Sequence, residues 1–435
     1  MSSQPNPENK RTVHTRRVLY LPGYDPIHPR RYRELYRTEG AEQAKISNYT
    51  LNLKPKKNDT YFGWTVRSKI ERVKIRTEFS VLVWSDIVRD SMDQVIVSTY
   101  TLLARTAWTY IGSGALFRLM RLRKGPVIAA LYPVCFLLLQ LALAFVAAGI
   151  IFLFVDAAMA HVLVNGGMIM PGVLAMVSVV WILRWFKARD NKFFAYYLMH
   201  DYAYSARLRG ANPPELEARM AEFGKVISEA LRSDVDELLV VGHSSGAHLA
   251  VSILSDLIRA GHVPENGPVL SFLSLGQVVP MVSFLPEAHR LRADLEYLST
   301  RKELTWIDVT APGDGCAFAL CDPVSVSGVA PEDKRWPLVV SAAFTQTLSP
   351  ERWKDLRWRF FRLHFQYLCA FDRPGDYDYF QITAGPHTLG ARYAGRAPSP
   401  SRIETPVSKY TSVAARTFSH PNRPLVIVSC RFGAI

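Results

Sequence analysis

Cysteine is scarce in this sequence. Five thiols (Cys135, Cys316, Cys321, Cys369 and Cys430) are scattered over 435 residues. Their number is odd and no two form a CxxC pair. A disulfide scaffold is therefore excluded, and free thiols in a reducing compartment are the simpler reading. No Cys or His spacing suits a metal site, and 25 glycines are far too few for a collagen-like chain. The opening residues, MSSQPNPENKRTVHTRR, lack the apolar core of a secretory signal peptide. Charge is missing from one long region. Between Val127 and Leu183 there is no Lys, Arg or Glu, and only Asp156 and His161 can carry charge.

That uncharged region has two parts. Val127 to Val155 is almost wholly apolar, with Gln140 as its one strongly polar side chain. A bilayer core needs roughly 20 apolar residues in a helix, so this stretch is long enough to span. Val162 to Leu183 is a second candidate, although Asn165-Gly166-Gly167 and Pro171-Gly172 interrupt it. The competing reading is a helical hairpin buried in a soluble core. Arg118, Arg121, Arg123 and Lys124 precede the first stretch, and Arg184, Lys187, Arg189 and Lys192 follow the second. The connection around Asp156 to Met168 has no Lys or Arg. Positive flanks favour the cytoplasmic side, so both outer ends are expected there. Trp181 and Trp185 stand where interfacial aromatics would be found.

Hydrophobic residues make up 49% of the chain, which excludes global disorder. The formal charge of +14 raises the question of nucleic acid, but no recognition motif accompanies it. Cations flanking the spans are explained by anionic lipid headgroups. No obligate protein partner is indicated.

The rest of the chain alternates between strand and helix patterns. Arg17–Leu21 reads as a short buried strand broken by Pro22-Gly23, and a helical pattern follows from Pro29 to Ile46. Asn48–Leu53 and Tyr61–Ser68 suggest a hairpin, and Phe79–Trp84 another strand. Beyond the uncharged region, helical patterns run from Phe193 to Arg232 with a break at Asn212-Pro213-Pro214. Glu237–Val241 is then a strand and Ala247–Ala260 a helix. Val269–Leu275, Leu304–Val309 and Tyr379–Thr383 are further strand candidates, and Leu425–Ser429 would add an edge strand. The alternation predicts an α/β architecture with a mostly parallel sheet.

The strongest local signal is Gly242-His243-Ser244-Ser245-Gly246, a G-x-S-x-G. A chain this long shows one by chance roughly once in seven, so context matters. An apolar strand leads in, and a helix with Leu249, Ile253 and Leu257 on one face leads out. That is the setting of a nucleophile elbow, where a sharp turn exposes the central serine hydroxyl. Glycine is needed at 242 and 246 because side chains there would collide as strand and helix converge. A Gly/Ser turn or a phosphate-binding loop is the competing reading.

These residues resemble the α/β-hydrolase superfamily, in a membrane-anchored, serine esterase- or lipase-like version. The resemblance covers about residues 17–120 and 187–395. It implies a triad in the order Ser, Asp or Glu, His, with Ser244 as nucleophile. Asp314, in the loop after Thr305–Thr310, is the favoured acid, and Asp322 in Cys-Asp-Pro-Val is its rival. His387, in Ala-Gly-Pro-His-Thr-Leu, is the favoured base. His364 lies in the aromatic stretch Trp358–Tyr367 and reads as a packed helix residue; His420 lies in the polar tail. His243 and His248 read as packing residues. The oxyanion would be held by the backbone N–H groups of Ser245 and of Tyr24, the latter in the loop after an early strand. The HGGG version of that loop is lacking.

The expected organisation is a disordered 1–15, a first part of the hydrolase domain at 16–124 and a transmembrane hairpin at 125–186. The second part of the domain is 187–395, and 396–435 is a flexible C-terminal extension. An insertion within one domain must return to its own side of the membrane, so an even number of crossings is required, and two satisfy this. The expected function is hydrolysis of an ester, of a lipid or another acyl compound, through an acyl-enzyme and without cofactor or metal. A non-catalytic membrane-bound binding or assembly module and an acyltransferase are the alternatives.

Overall fold

A computed structural model describes residues 12–56, 60–92, 96–160 and 169–414. Its centre is one eight-stranded sheet. The strands are β1 (Thr15–Leu21), β2 (Thr50–Pro55), β3 (Gly63–Ile70), β4 (Val73–Val81), β5 (Glu237–His243), β6 (Val269–Leu275), β7 (Leu304–Thr310) and β8 (Leu338–Ser341). They lie in the order β2-β3-β4-β1-β5-β6-β7-β8. β2, β3 and β4 pair antiparallel, and all the remaining pairs are parallel.

Both faces of the sheet are covered, so its central strands are apolar at successive positions. Alternation sorts their side chains between two cores. Val18, Tyr20, Leu239, Val241, Leu273 and Leu275 point into one. Leu19, Leu21, Leu238, Val240, Leu270 and Phe272 point into the other. The first core is closed by α1 (Arg30–Ile46) and by chain beyond Phe344. The second is closed by α7 (Pro214–Ala230), α8 (Gly246–Arg259) and α9 (His289–Ser299).

Between β4 and β5 the chain leaves the sheet. It forms α2 (Ile96–Gly112), α3 (Ala115–Leu122), α4 (Lys124–Ala160), α5 (Ile169–Lys187) and α6 (Ala195–Ala206). α4 and α5 are long and apolar enough to cross a membrane. They do not form a buried hairpin, because their outward side chains are apolar: Ile150 is 62% exposed, Phe154 76% and Val177 58%. With 37 residues, α4 is about 55 Å long, well beyond a bilayer core of about 30 Å. Its first half belongs to a neck. Val127 packs with Leu119 and Leu122, and Leu137 with Tyr196 and Met199. Only farther along do Ala144 and Ala148 meet Val179 and Leu183 of α5. Two flanking cations also serve the neck. Arg118 donates to the Val407 carbonyl and Arg123 to that of Ala319.

Several sequence expectations are corrected. Tyr379–Thr383 is not a strand but part of a helix, α11 (Tyr379–Ala384). The Asp378 carboxylate accepts from the Phe380 and Gln381 N–H groups and starts it. A short apolar run carries too little periodicity to distinguish the two states. β8 lies where no strand was expected, its four residues being too few to show alternation. Thr12 to Thr15 are not disordered. Val13 is fully buried, and its N–H donates to the Pro386 carbonyl. Nor is the start of the C-terminal extension free: the Ile403 N–H donates to Leu320, and its carbonyl accepts from Asp322. Of the expected connection around Asp156 to Met168, the part up to Ala160 continues α4, and 161–168 lie outside the described residues, as does the strand at Leu425–Ser429.

Candidate active site

β5 ends at the centre of the sheet, and the chain turns within two residues into α8. Ser244 sits on that turn with φ of 57°, a left-handed conformation that costs a non-glycine residue about 1–3 kcal/mol. Hydrogen bonds hold it there. Its N–H donates to the Leu275 carbonyl at 2.9 Å, and its own carbonyl accepts from Ala247 at 3.1 Å. A Cβ at position 246 would lie 2.2 Å from the Leu21 carbonyl oxygen, and one at 242 would lie 2.8 Å from the Ala247 Cα. Both elbow glycines are thus required by backbone approach. The Ser245 N–H stands at the start of α8, where helix amides lack intrahelical acceptors and favour negative charge.

The loop after β7 brings in Asp314, which is buried. Its partner is His364, at the end of α10 (Phe360–His364): the His364 Nδ1 lies 2.7 Å from the carboxylate Oδ2. The Tyr367 hydroxyl donates to the same oxygen at 3.0 Å, and the Cys316 N–H donates to Oδ1 at 2.8 Å. Burial by itself would raise this carboxyl, but the His364 charge and these hydrogen bonds outweigh it and hold Asp314 below its ordinary value. With Nδ1 committed to Asp314, the His364 Nε2 remains for other chemistry. Ser244 and His364 line one partly open cavity.

His387 is not brought to Ser244, so its assignment as the base's position is corrected. It lies beyond the N-terminal end of β1, bridged to Thr12, and its half-exposed ring contacts Glu71 at 2.8 Å. Ser244 follows the opposite end of the adjacent β5, a strand length of roughly 20 Å away at about 3.3 Å per residue. Asp322 is likewise occupied elsewhere. It caps the short helix Pro323–Val326 and pairs with Lys334. Tyr24 is where the sequence placed it, in the loop after β1, but its N–H donates to the Ser245 hydroxyl at 2.8 Å. His420 lies outside the described residues.

His243 and His248 are packed inside. Burial lowers them to about 3 and about 4 respectively, with the neighbouring His364 charge adding to the effect at His243. Asp314, Cys316 and His364 each offer a ligand atom within 4.8 Å of one another. Both Asp314 oxygens already accept hydrogen bonds, and burial pushes the Cys316 thiol well up. As the trio stands, it is a hydrogen-bonded Asp–His pair beside the Cys316 thiol.

Sequence reasoning missed Asp201, on α6. It lines the same cavity, and burial raises its carboxyl to about 7. Nothing in Met-His-Asp-Tyr distinguishes it from a solvated helix residue. His364 carried no local signal either, since Trp358–Tyr367 is equally the pattern of a packed helix.

Comparison with protein-family models, with curated proteins and with solved structures finds no match for this chain.

Proposed function

We propose that the protein is a membrane-anchored serine hydrolase of the α/β-hydrolase type that cleaves an acyl ester. One observation carries the reading: the strained Ser244 turn faces the same cavity as His364, whose other nitrogen is held by Asp314. In this mechanism His364 Nε2 takes the proton from the Ser244 hydroxyl as its oxygen attacks the ester carbonyl. Asp314 holds the ring in the Nδ1–H tautomer and stabilises the imidazolium that forms. The Ser245 N–H stabilises the developing oxyanion. Tyr24 would supply a second donor once the Ser245 hydroxyl, now accepting its N–H, rotates away. The imidazolium then protonates the departing alcohol, and water, deprotonated by the same ring, releases the acid.

α4 and α5 are proposed to anchor the catalytic domain, with Arg184, Lys187, Arg189 and Lys192 marking the cytoplasmic side. Labelling by a fluorophosphonate probe tests the catalytic reading. The wild-type chain should label and Ser244→Ala should not. Equal labelling of the two, or none of either, overturns it.

A further inference from the structure

The cavity has a composition unlike that of the chain around it. The sequence carries 52 Lys and Arg against 38 Asp and Glu. Yet among the described residues that line this cavity there are two carboxylates and no Lys or Arg. Asp25 is already engaged: the Tyr32 hydroxyl donates to it at 2.7 Å, the Ile27 N–H at 2.9 Å, and Arg31 stands 3.7 Å away. Asp201 has no hydrogen-bond or ion-pair partner among the described residues, although it faces the cavity that holds Ser244 and His364.

The remaining wall is aromatic. Five tyrosines and two phenylalanines line it, among them Tyr197 and Tyr202 on the same helix as Asp201. Ring faces carry negative potential and attract cations, most strongly where water is excluded. Burial leaves the Asp201 carboxyl at about 7, and an ammonium group brought among these rings would favour its ionised form. The cavity is less suited to a phosphate or a free fatty-acid carboxylate, which would meet two carboxyl groups and, besides the His243 and His364 rings, no basic side chain among the lining residues.

We propose that this cavity binds a cationic group, and that Asp201 is the specificity-determining residue selecting esters that carry an ammonium in the part of the molecule next to the scissile bond. The ammonium sits against Asp201 and the surrounding rings, while the ester carbonyl reaches Ser244. The proposal rests on the hydrolase reading for the ester, but not for the cation.

Calorimetric titration of the full, detergent-solubilised chain with choline and with its neutral isostere 3,3-dimethylbutanol tests it without turnover. Choline should bind the wild type at least tenfold more tightly than the isostere. Asp201→Asn should abolish that difference, and Asp201→Glu should retain part of it. Equal binding of the two ligands to the wild type, or an undiminished preference in Asp201→Asn, overturns the proposal. The same choline concentrations should slow fluorophosphonate labelling of Ser244, and failure to slow it places the cation elsewhere and overturns the assignment. Should Ser244 never label, the hydrolase reading falls while the titration still decides the cation site.

Discussion

The Asp314 carboxylate and the His364 ring meet at 2.7 Å across fifty residues of chain. One arrives in the loop after β7, the other on a five-residue helix that docks over the end of the sheet. Their contact is what makes His364 the proton acceptor in the proposed hydrolysis, and the histidine favoured on sequence order has another place.

His364→Ala and His387→Ala should therefore separate cleanly. The first is expected to slow fluorophosphonate labelling of Ser244 by about a hundredfold or more, as loss of a general base does. The second should leave the labelling rate within about twofold of wild type. The opposite ranking in a timed labelling assay would restore His387 and sink His364.

Gly276 supports the same histidine from below. Its φ is +53°, and a Cβ there would lie 2.7 Å from the Tyr367 ring and 3.0 Å from His364 Cε1. Gly276→Ala should strain the backbone and push both rings from Asp314. Slower labelling together with a lowered melting temperature is expected. A fully stable, fully reactive variant would show that this contact is not what positions the ring.

Arg16 and Glu237 form a fully buried ion pair at 2.6 Å. Arg16 also donates to the Gly385 and His387 carbonyls, and Glu237 accepts from the Ser271 hydroxyl and the Leu389 N–H. This network ties the 385–389 segment to β1, β5 and β6, which explains the place of His387. Arg16→Met leaves the carboxylate buried without its cation and should cost about 3–5 kcal/mol. Denaturant unfolding measures it, and a loss under about 1 kcal/mol would mean that water replaces the guanidinium.

Asp308 should make stability depend on pH. Burial raises its carboxyl to about 8, and the nearby Asp322 charge adds to this against a hydrogen bond from Ser274. Between about pH 4 and pH 8 the folded chain keeps a proton there that the unfolded chain has lost. Stability contributed at this site thus falls as pH rises through that window, by up to about 1.4 kcal/mol per pH unit. The buried His243 and His248 act in the opposite sense, because the unfolded chain binds protons that the folded one refuses below about pH 6.5. That contribution cancels when Asp308→Asn is compared with wild type. The variant should gain stability relative to wild type from pH 5 to 8, and parallel unfolding curves would refute the assignment.

Much of the fold was legible because its signals are local. The Glu237–His243 run, the two glycines around Ser244 and the helix after it are consecutive, so one stretch of chain specifies the turn. The uncharged length between Val127 and Leu183 was equally plain. What stayed hidden was how that length is divided. Charge counting cannot tell a neck from a span, and only the packing of Leu137 on Tyr196 and Met199 shows where the neck runs. The helix at Tyr379–Ala384 was hidden for a similar reason, since its cap at Asp378 outweighs the strand-like composition after it.

By itself, the sequence determined the strained serine turn and the apolar pair of helices, because backbone sterics and hydrophobic length act between near neighbours; it left Asp314 and Asp322 as rivals. Tertiary structure alone decided which histidine stands by Asp314 and that Asp201 lines the cavity of Ser244. Those pairings depend on where separate elements dock on the sheet. Docking follows from the summed burial of both cores, which no short stretch of residues encodes.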